Sequence, residues 1–236
     1  VNPTLIVALL QQRARSLPRM ALVFSFFTLP LMVLAFARGA GLAPLHVGQA
    51  FAVLLGTGII GQDASSGTLQ LLFARPVTRA EYVISRWLGA ALAASCLMVA
   101  QLAIGAGLLA MHHEMPGAKE LLLFAGEQLL TIFGMVSVLL LFSTMLPGIG
   151  DILALIVAGI TGQALQLGAA LFKAPWLARV GVELGRFVSP SLDLGALFGG
   201  GPVSWFEVVS YFSTVTLCVA LAIVVMNRRE LSYATE

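Results

Sequence analysis

GQDASSGTLQLLFARPVTRAEYVISRW, residues 61–87, is the stretch on which the reading of this chain turns. It holds five charged residues (Asp63, Arg75, Arg79, Glu81 and Arg86) and Pro76 in a sequence that is 59% hydrophobic and only 10% charged, yet it keeps leucines and aromatics at helical spacing. That combination describes a docking surface. Locally, SSGTLQLLF begins with hydroxyl residues able to cap a helix and continues with Leu69, Leu71, Leu72 and Phe73, which predicts a short helix of about a turn and a half. Arg75 and Pro76 break it. TRAE, residues 78–81, then has capping-box spacing, so a second helix starts at Thr78 and runs into the next apolar run. From residue 78 to 111 that helix would be about 50 Å long at ~1.5 Å per residue. This exceeds the ~30 Å hydrocarbon core, so its first two turns project from the membrane.

Composition sets the class around that stretch. A mean hydropathy of +0.97 over 236 residues, with charged residues far below the roughly 25% of soluble domains, identifies an integral membrane protein. The apolar residues come in unbroken runs near the ~20 residues needed for a helical span, not in the alternating pattern of a barrel. The predicted fold is all-α and polytopic. Its spans are read at residues 20–37, 44–60, 87–111, 121–146, 152–171 and 206–226. The second is the shortest, about 26 Å, with Pro44 suited to a first helical turn. A net charge of +2 with scattered basic residues argues against nucleic acid as a partner. Cys96 and Cys218 fall inside apolar runs and read as small hydrophobes.

Orientation follows from where Lys and Arg fall. With both termini in the cytoplasm, eight of the 13 basic residues (Arg13, Arg15, Arg19, Arg75, Arg79, Arg86, Arg228 and Arg229) lie inside. Three of the other five sit in one long outer loop, where the rule is weaker. Residues 1–19 put Leu5, Leu9, Leu10 and Leu17 on one side, followed by Gln and Arg, which predicts an interfacial helix ending at Pro18. The chain opens on Val1, so a few residues are expected to precede it, and its start carries no cleavable signal pattern. Residues 172–205 are too apolar for a solvated linker. Trp176, Leu177, Val180, Leu184, Phe187 and Val188 recur at spacings of three and four, predicting an amphipathic or re-entrant outer-leaflet helix that Pro190 ends.

The order Asp63, Gly67, Thr68, Leu69, Leu71, Leu72, Pro76, Val77, Thr78, Arg79, followed by YVISRWLG, resembles the permease subunits of ABC-2 type transporters. In that family an acidic residue, Gly-Thr-Leu, a Leu-Leu run, Pro, a hydroxyl residue and Arg recur between the second and third spans. SPSLDLGAL before the last span and NRRE after it are further likenesses. Asp63 stands where Glu is commoner, Arg86 where Lys is commoner, and Ser189 where Asn often precedes the proline. The resemblance implies a single transmembrane domain over residues 1–236, with 61–86 as its coupling region. Residues 66–73 are then a coupling helix seated in a groove of a cytoplasmic ATPase. Asp63, Gly67, Thr68, Leu69, Leu72, Phe73, Arg75, Pro76 and Arg79 are the coupling residues so implied, with leucines and Phe73 as anchors and Arg75 and Arg79 on the rim.

No GxxxxGK[ST] occurs, so the expected chain has no catalytic residues and no cofactor of its own. By resemblance, ATP and Mg belong to a separate ABC ATPase present in two copies. A second permease copy or paralogue completes the pathway, in the bacterial cytoplasmic (inner) membrane. Few intramembrane charges point to an amphipathic or lipid-like exported substrate. Gln101, Glu127, Gln163 and Gln166 are the polar groups that either line its pathway or bond across helices, and Glu127 reads best as an interfacial residue. Ala154, Ala158 and Gly162, and Gly89 with Ala93, suit close helix contacts within a protomer or between two. A different reading makes MHHEM a copper site, with Met111, His112, His113 and Met115 as soft ligands. Against it, adjacent histidines on a helix end point about 100° apart, and no second ligand cluster follows.

Overall fold

The computed structural model describes residues 16–65, 78–198 and 205–228, and among them every regular element is helical. In chain order these are α1 (Leu17–Phe36), a 3-10 turn (Ala43–Leu45), α2 (Gly48–Gly56), α3 (Gly61–Ser65), α4 (Arg79–Met111), α5 (Ala118–Met145), α6 (Gly150–Phe172), α7 (Pro175–Val188), α8 (Leu194–Phe198) and α9 (Trp205–Arg228). Among the described residues six segments are long and apolar enough to cross a membrane: α1, Ala43–Ser65, α4, α5, α6 and α9. They coincide with the six spans expected. The interfacial helix lies almost wholly outside the described residues, as do residues 66–77 of the coupling region.

One span differs from expectation. The second was read as one continuous helix over 44–60, but it is broken into α2 and α3. Thr57 leaves the helix with ψ 130, and Gly58 follows at φ +67, a left-handed backbone that glycine alone adopts without a Cβ penalty. The signal was the Gly56-Thr57-Gly58 run.

α5 is the hub. In its most apolar window 67% of residues are buried, against 11% in α6 and 17% in α1 and α9. Ile132, Met135, Val136, Val138 and Leu139 of α5 meet Phe51 and Leu55 of α2, Met98 of α4, and Cys218 and Ala222 of α9 in one apolar core. Trp87 of α4 donates its indole N–H to Ser137 Oγ at 2.9 Å and packs edge-on against Phe133. α1, α6 and α9 turn Phe24, Leu29, Phe36, Leu153, Ile160, Leu167, Phe206 and Val209 outward, a surface only lipid or another apolar helix can solvate.

Two details show how membrane helices settle their polar backbone. Pro30 sits inside α1, and its missing N–H leaves the Phe26 carbonyl without a helical donor. Gln101 of α4 supplies one, its Nε2 donating to Phe26 O at 3.1 Å and Phe27 O at 2.9 Å. The small-residue run of span five is used within the protomer: a Cβ at Gly181 of α7 would lie 2.7 Å from the Gly162 carbonyl of α6, so the two helices meet backbone to backbone. α7 is the amphipathic helix expected, begun by Pro175, and the linker after it lays the Pro190 carbonyl against Gly134 of α5.

Candidate functional site

The ends of α1, α3, α4 and α9 and the turn between α5 and α6 gather at one end of the bundle, and buried polar side chains tie them together. Thr78 caps α4 as its sequence spacing predicts, its hydroxyl accepting from Glu81 N–H at 3.2 Å. The cap starts a helix of 33 residues, about 50 Å long. One turn in, Tyr82 and Arg86 point back toward α3. Tyr82 Oη donates to Asp63 Oδ2 at 2.5 Å, Arg86 Nη2 makes an ion pair with the same oxygen, and the guanidinium lies 5.3 Å from the Tyr82 ring centroid. All three residues are buried. Arg86 Nε and Nη1 are buried too and have no hydrogen-bond partner among the described residues.

Arg79, the first residue of α4, reaches the other way. Its Nη1 donates to the carbonyls of Met226 at 2.8 Å and Asn227 at 2.9 Å, at the C-terminal end of α9 where a cation complements the helix dipole. The segment 66–77 is thus flanked by two anchored ends, Asp63 on α4 and Arg79 on α9. Of the coupling residues named from the sequence, Asp63 and Arg79 are these anchors. Gly67, Thr68, Leu69, Leu72, Phe73, Arg75 and Pro76 lie outside the described residues.

The break in span two sits beside this cluster. Gly58 N–H donates to Asp151 Oδ2 at 2.5 Å, and the Ile60 and Gly61 N–H groups donate to Ser143 Oγ at 3.0 and 2.9 Å. Gly148 N–H donates to the Gly61 carbonyl at 2.9 Å, and Arg19 Nη2 reaches the Thr57 carbonyl at 3.5 Å. Asp151 and Ser143 are fully buried. Sequence reasoning passed over both, because each sits at the end of an apolar run where a polar residue is ordinary. The signal was the glycine-rich break they serve, which a helix-only reading of span two hid.

The four polar residues proposed for a pathway are not brought together. Gln101 is buried against α1 as described. Glu127, near the opposite end of the bundle, accepts from Gly195 N–H at 2.9 Å, and Lys119 donates to the Phe198 carbonyl, so both hold α8 on α5. Gln163 and Gln166 are exposed on α6. At the same end a cavity of about 270 Å³ opens between α7, its following linker and α9, lined by Arg186, Ser189, Asp193, Glu207, Ser210 and Thr214 among others. Ser25, Thr28, Thr131 and Thr161 spend their hydroxyls on carbonyls one turn back, whereas Ser210 and Thr214 make no such bond.

The copper reading of residues 111–115 finds no support. These residues form the C-terminal cap of α4: His113 is left-handed at φ 60, its N–H donates to Ala110 O, and Glu114 N–H reaches back to Leu109 O at 2.9 Å. The Glu114 carboxylate is occupied by Gly39 N–H at 2.8 and 2.9 Å. Among the described residues no group of three His, Cys, Asp or Glu converges.

No curated protein matches the chain significantly. Residues 24–172, well over half of its length and running from within α1 to the end of α6, match the family described as ABC-2 family transporter protein. With six apolar helices, and a motif whose ends Asp63 and Arg79 are built into the bundle, the chain is a multi-pass membrane protein that belongs to the ABC-2 family of transporter permeases.

Proposed function

We propose that this chain is the transmembrane half of an ATP-driven exporter, with residues 61–86 as the place where a separate cytoplasmic ATPase pushes on the spans. The observation that carries the reading is the anchoring of Asp63 to Arg86 and Tyr82, together with that of Arg79 to the end of α9. A force applied between those anchors moves spans two, three and six together. Residues 66–73 are the coupling helix in this account, Leu69, Leu72 and Phe73 its apolar anchors, and Arg75 and Arg79 its rim. Two ATPase subunits hold ATP and Mg, and the permease itself breaks no bond. A second permease copy or a paralogue completes the alternating-access pathway, with the outward apolar residues of α1, α6 and α9 available for its seam and for lipid.

The whole of residues 1–236 acts as one domain in this account, with 1–19 on the membrane surface and 172–205 in the outer leaflet. In this reading the protein sits in the bacterial inner membrane with the Asp63 end and both termini facing the cytoplasm, an orientation that the excess of basic residues on that side supports. The substrate is amphipathic or lipid-like: the cavity beside α9 offers hydroxyls and both charge signs to a headgroup-sized polar part, while its surroundings are apolar.

A photo-crosslinking residue placed at Phe73 in native membranes tests the coupling surface. The expected product is an adduct with a soluble P-loop ATPase. Adducts with lipid alone would make residues 66–73 a surface-resting loop and remove the basis of the proposal.

A further inference from the structure

Spans that break inside a membrane must satisfy the freed backbone groups with other protein atoms. Here the break in span two is satisfied almost entirely from one place. Gly58 N–H goes to Asp151 at the start of α6, the Ile60 and Gly61 N–H groups go to Ser143 in the last turn of α5, and the Gly61 carbonyl takes Gly148 N–H from the turn between them. Ser143 and Asp151 have no exposed surface, so these bonds do not compete with water. α2 on the other side of the break packs through Phe51, Ala52 and Leu55 into the main apolar core. The five residues of α3 instead carry Asp63, held by α4. Residues 58–65 are therefore joined by polar bonds to the α5–α6 turn and to α4, while across the interruption at Thr57 and Gly58 they meet α2 through the Ile59 N–H bond to the Gly56 carbonyl at 3.2 Å and through Ile59 and Ile60 in the shared apolar core.

We propose that Asp151 and Ser143 are positioning residues for transport: they lock α3 to the α5–α6 turn, so that a displacement at residues 61–86 is delivered to spans four and five as well as to three and six, with Gly58 as the hinge. This rests on the coupling role assigned above. Asp151 touches neither substrate nor nucleotide in this scheme. Its work is to keep the Gly58 end of α3 fixed to α6.

The test uses the permease purified with its ATPase and reconstituted in nanodiscs, with spin labels at Ser65 and Ile149, both exposed. In the wild type the Ser65–Ile149 distance distribution is expected to stay narrow and unchanged between the nucleotide-free complex and one trapped with a non-hydrolysable ATP analogue. Asp151→Ala should broaden it and lower the stimulation of ATP hydrolysis by the permease by about fivefold or more, with the ATPase still bound. Asp151→Asn keeps an oxygen for Gly58 N–H and should restore both readouts. Ser143→Ala carries the same test if Asp151→Ala fails to accumulate in the membrane. A wild-type distance that shifts with nucleotide would overturn the proposal, as would variants that keep narrow distances and full stimulation. Absence of any bound ATPase is a separate result, which contradicts the coupling role itself.

Discussion

Asp63 and Arg86 form a buried ion pair between α3 and α4, closed on one side by the Tyr82 hydroxyl. The pair joins the first residue of the family pattern to a residue beyond its last, and places the intervening segment between fixed ends. Removing one partner strands the other charge in an apolar setting. Asp63→Ala should lower stability by about 3–5 kcal/mol, while Asp63→Ala with Arg86→Leu should cost clearly less. Thermal unfolding in detergent measures both, and a double variant no better than the single would show that the pair's charges are not the issue.

Gly58 is the hinge of span two, at φ +67, where a Cβ would lie only 2.8 Å from Gln62 Cγ. Gly58→Ala should destabilise by about 1–2 kcal/mol through the left-handed backbone. The cost lies in the backbone, so Gln62→Ala should not restore the loss. Full rescue by that second change would assign the cost to crowding in place of backbone strain.

Gln101 compensates for Pro30 by donating to the Phe26 and Phe27 carbonyls. Gln101→Leu should cost about 1–2 kcal/mol. Adding Pro30→Ala should recover part of it, since the restored N–H supplies the Phe26 carbonyl from within α1. The recovery is read from unfolding midpoints of the four variants in a double-mutant cycle.

The α6–α7 hairpin depends on the Gly162–Gly181 contact, and α6 has little other burial. Gly181→Leu should force the hairpin apart at a cost of about 2–3 kcal/mol, in the range of overpacked interiors. Cysteine cross-linking between the two helices should fall accordingly, and unchanged cross-linking would mean that α7 is not held there.

Much of this architecture was legible in advance because lipid makes long apolar helices obligatory. The spans, the Thr78 cap and the α7 helix follow from run length, TRAE spacing and a three-four apolar period. The break in span two was not legible as such: Gly56 and Gly58 interrupt a run whose hydropathy is unbroken, and hydropathy records burial, not backbone path. Ser143 and Asp151 were missed for the same reason. Their partners are backbone N–H groups some 80 to 90 residues away, which no local pattern announces. Glu127 had two readings, membrane depth or interface, and its bond to Gly195 could not be foreseen without knowing that residues 194–198 fold back onto α5.

An ATPase that drives this permease through residues 61–86 should leave the membrane with it. The decisive measurement is purification of the chain in mild detergent from its native membrane, with mass spectrometry of what accompanies it and an assay of ATP hydrolysis. The expected result is a soluble P-loop ATPase in an ATP-hydrolysing complex that Phe73→Glu disrupts while the permease stays folded. A permease recovered without any ATPase, under conditions that keep other membrane complexes whole, would contradict it.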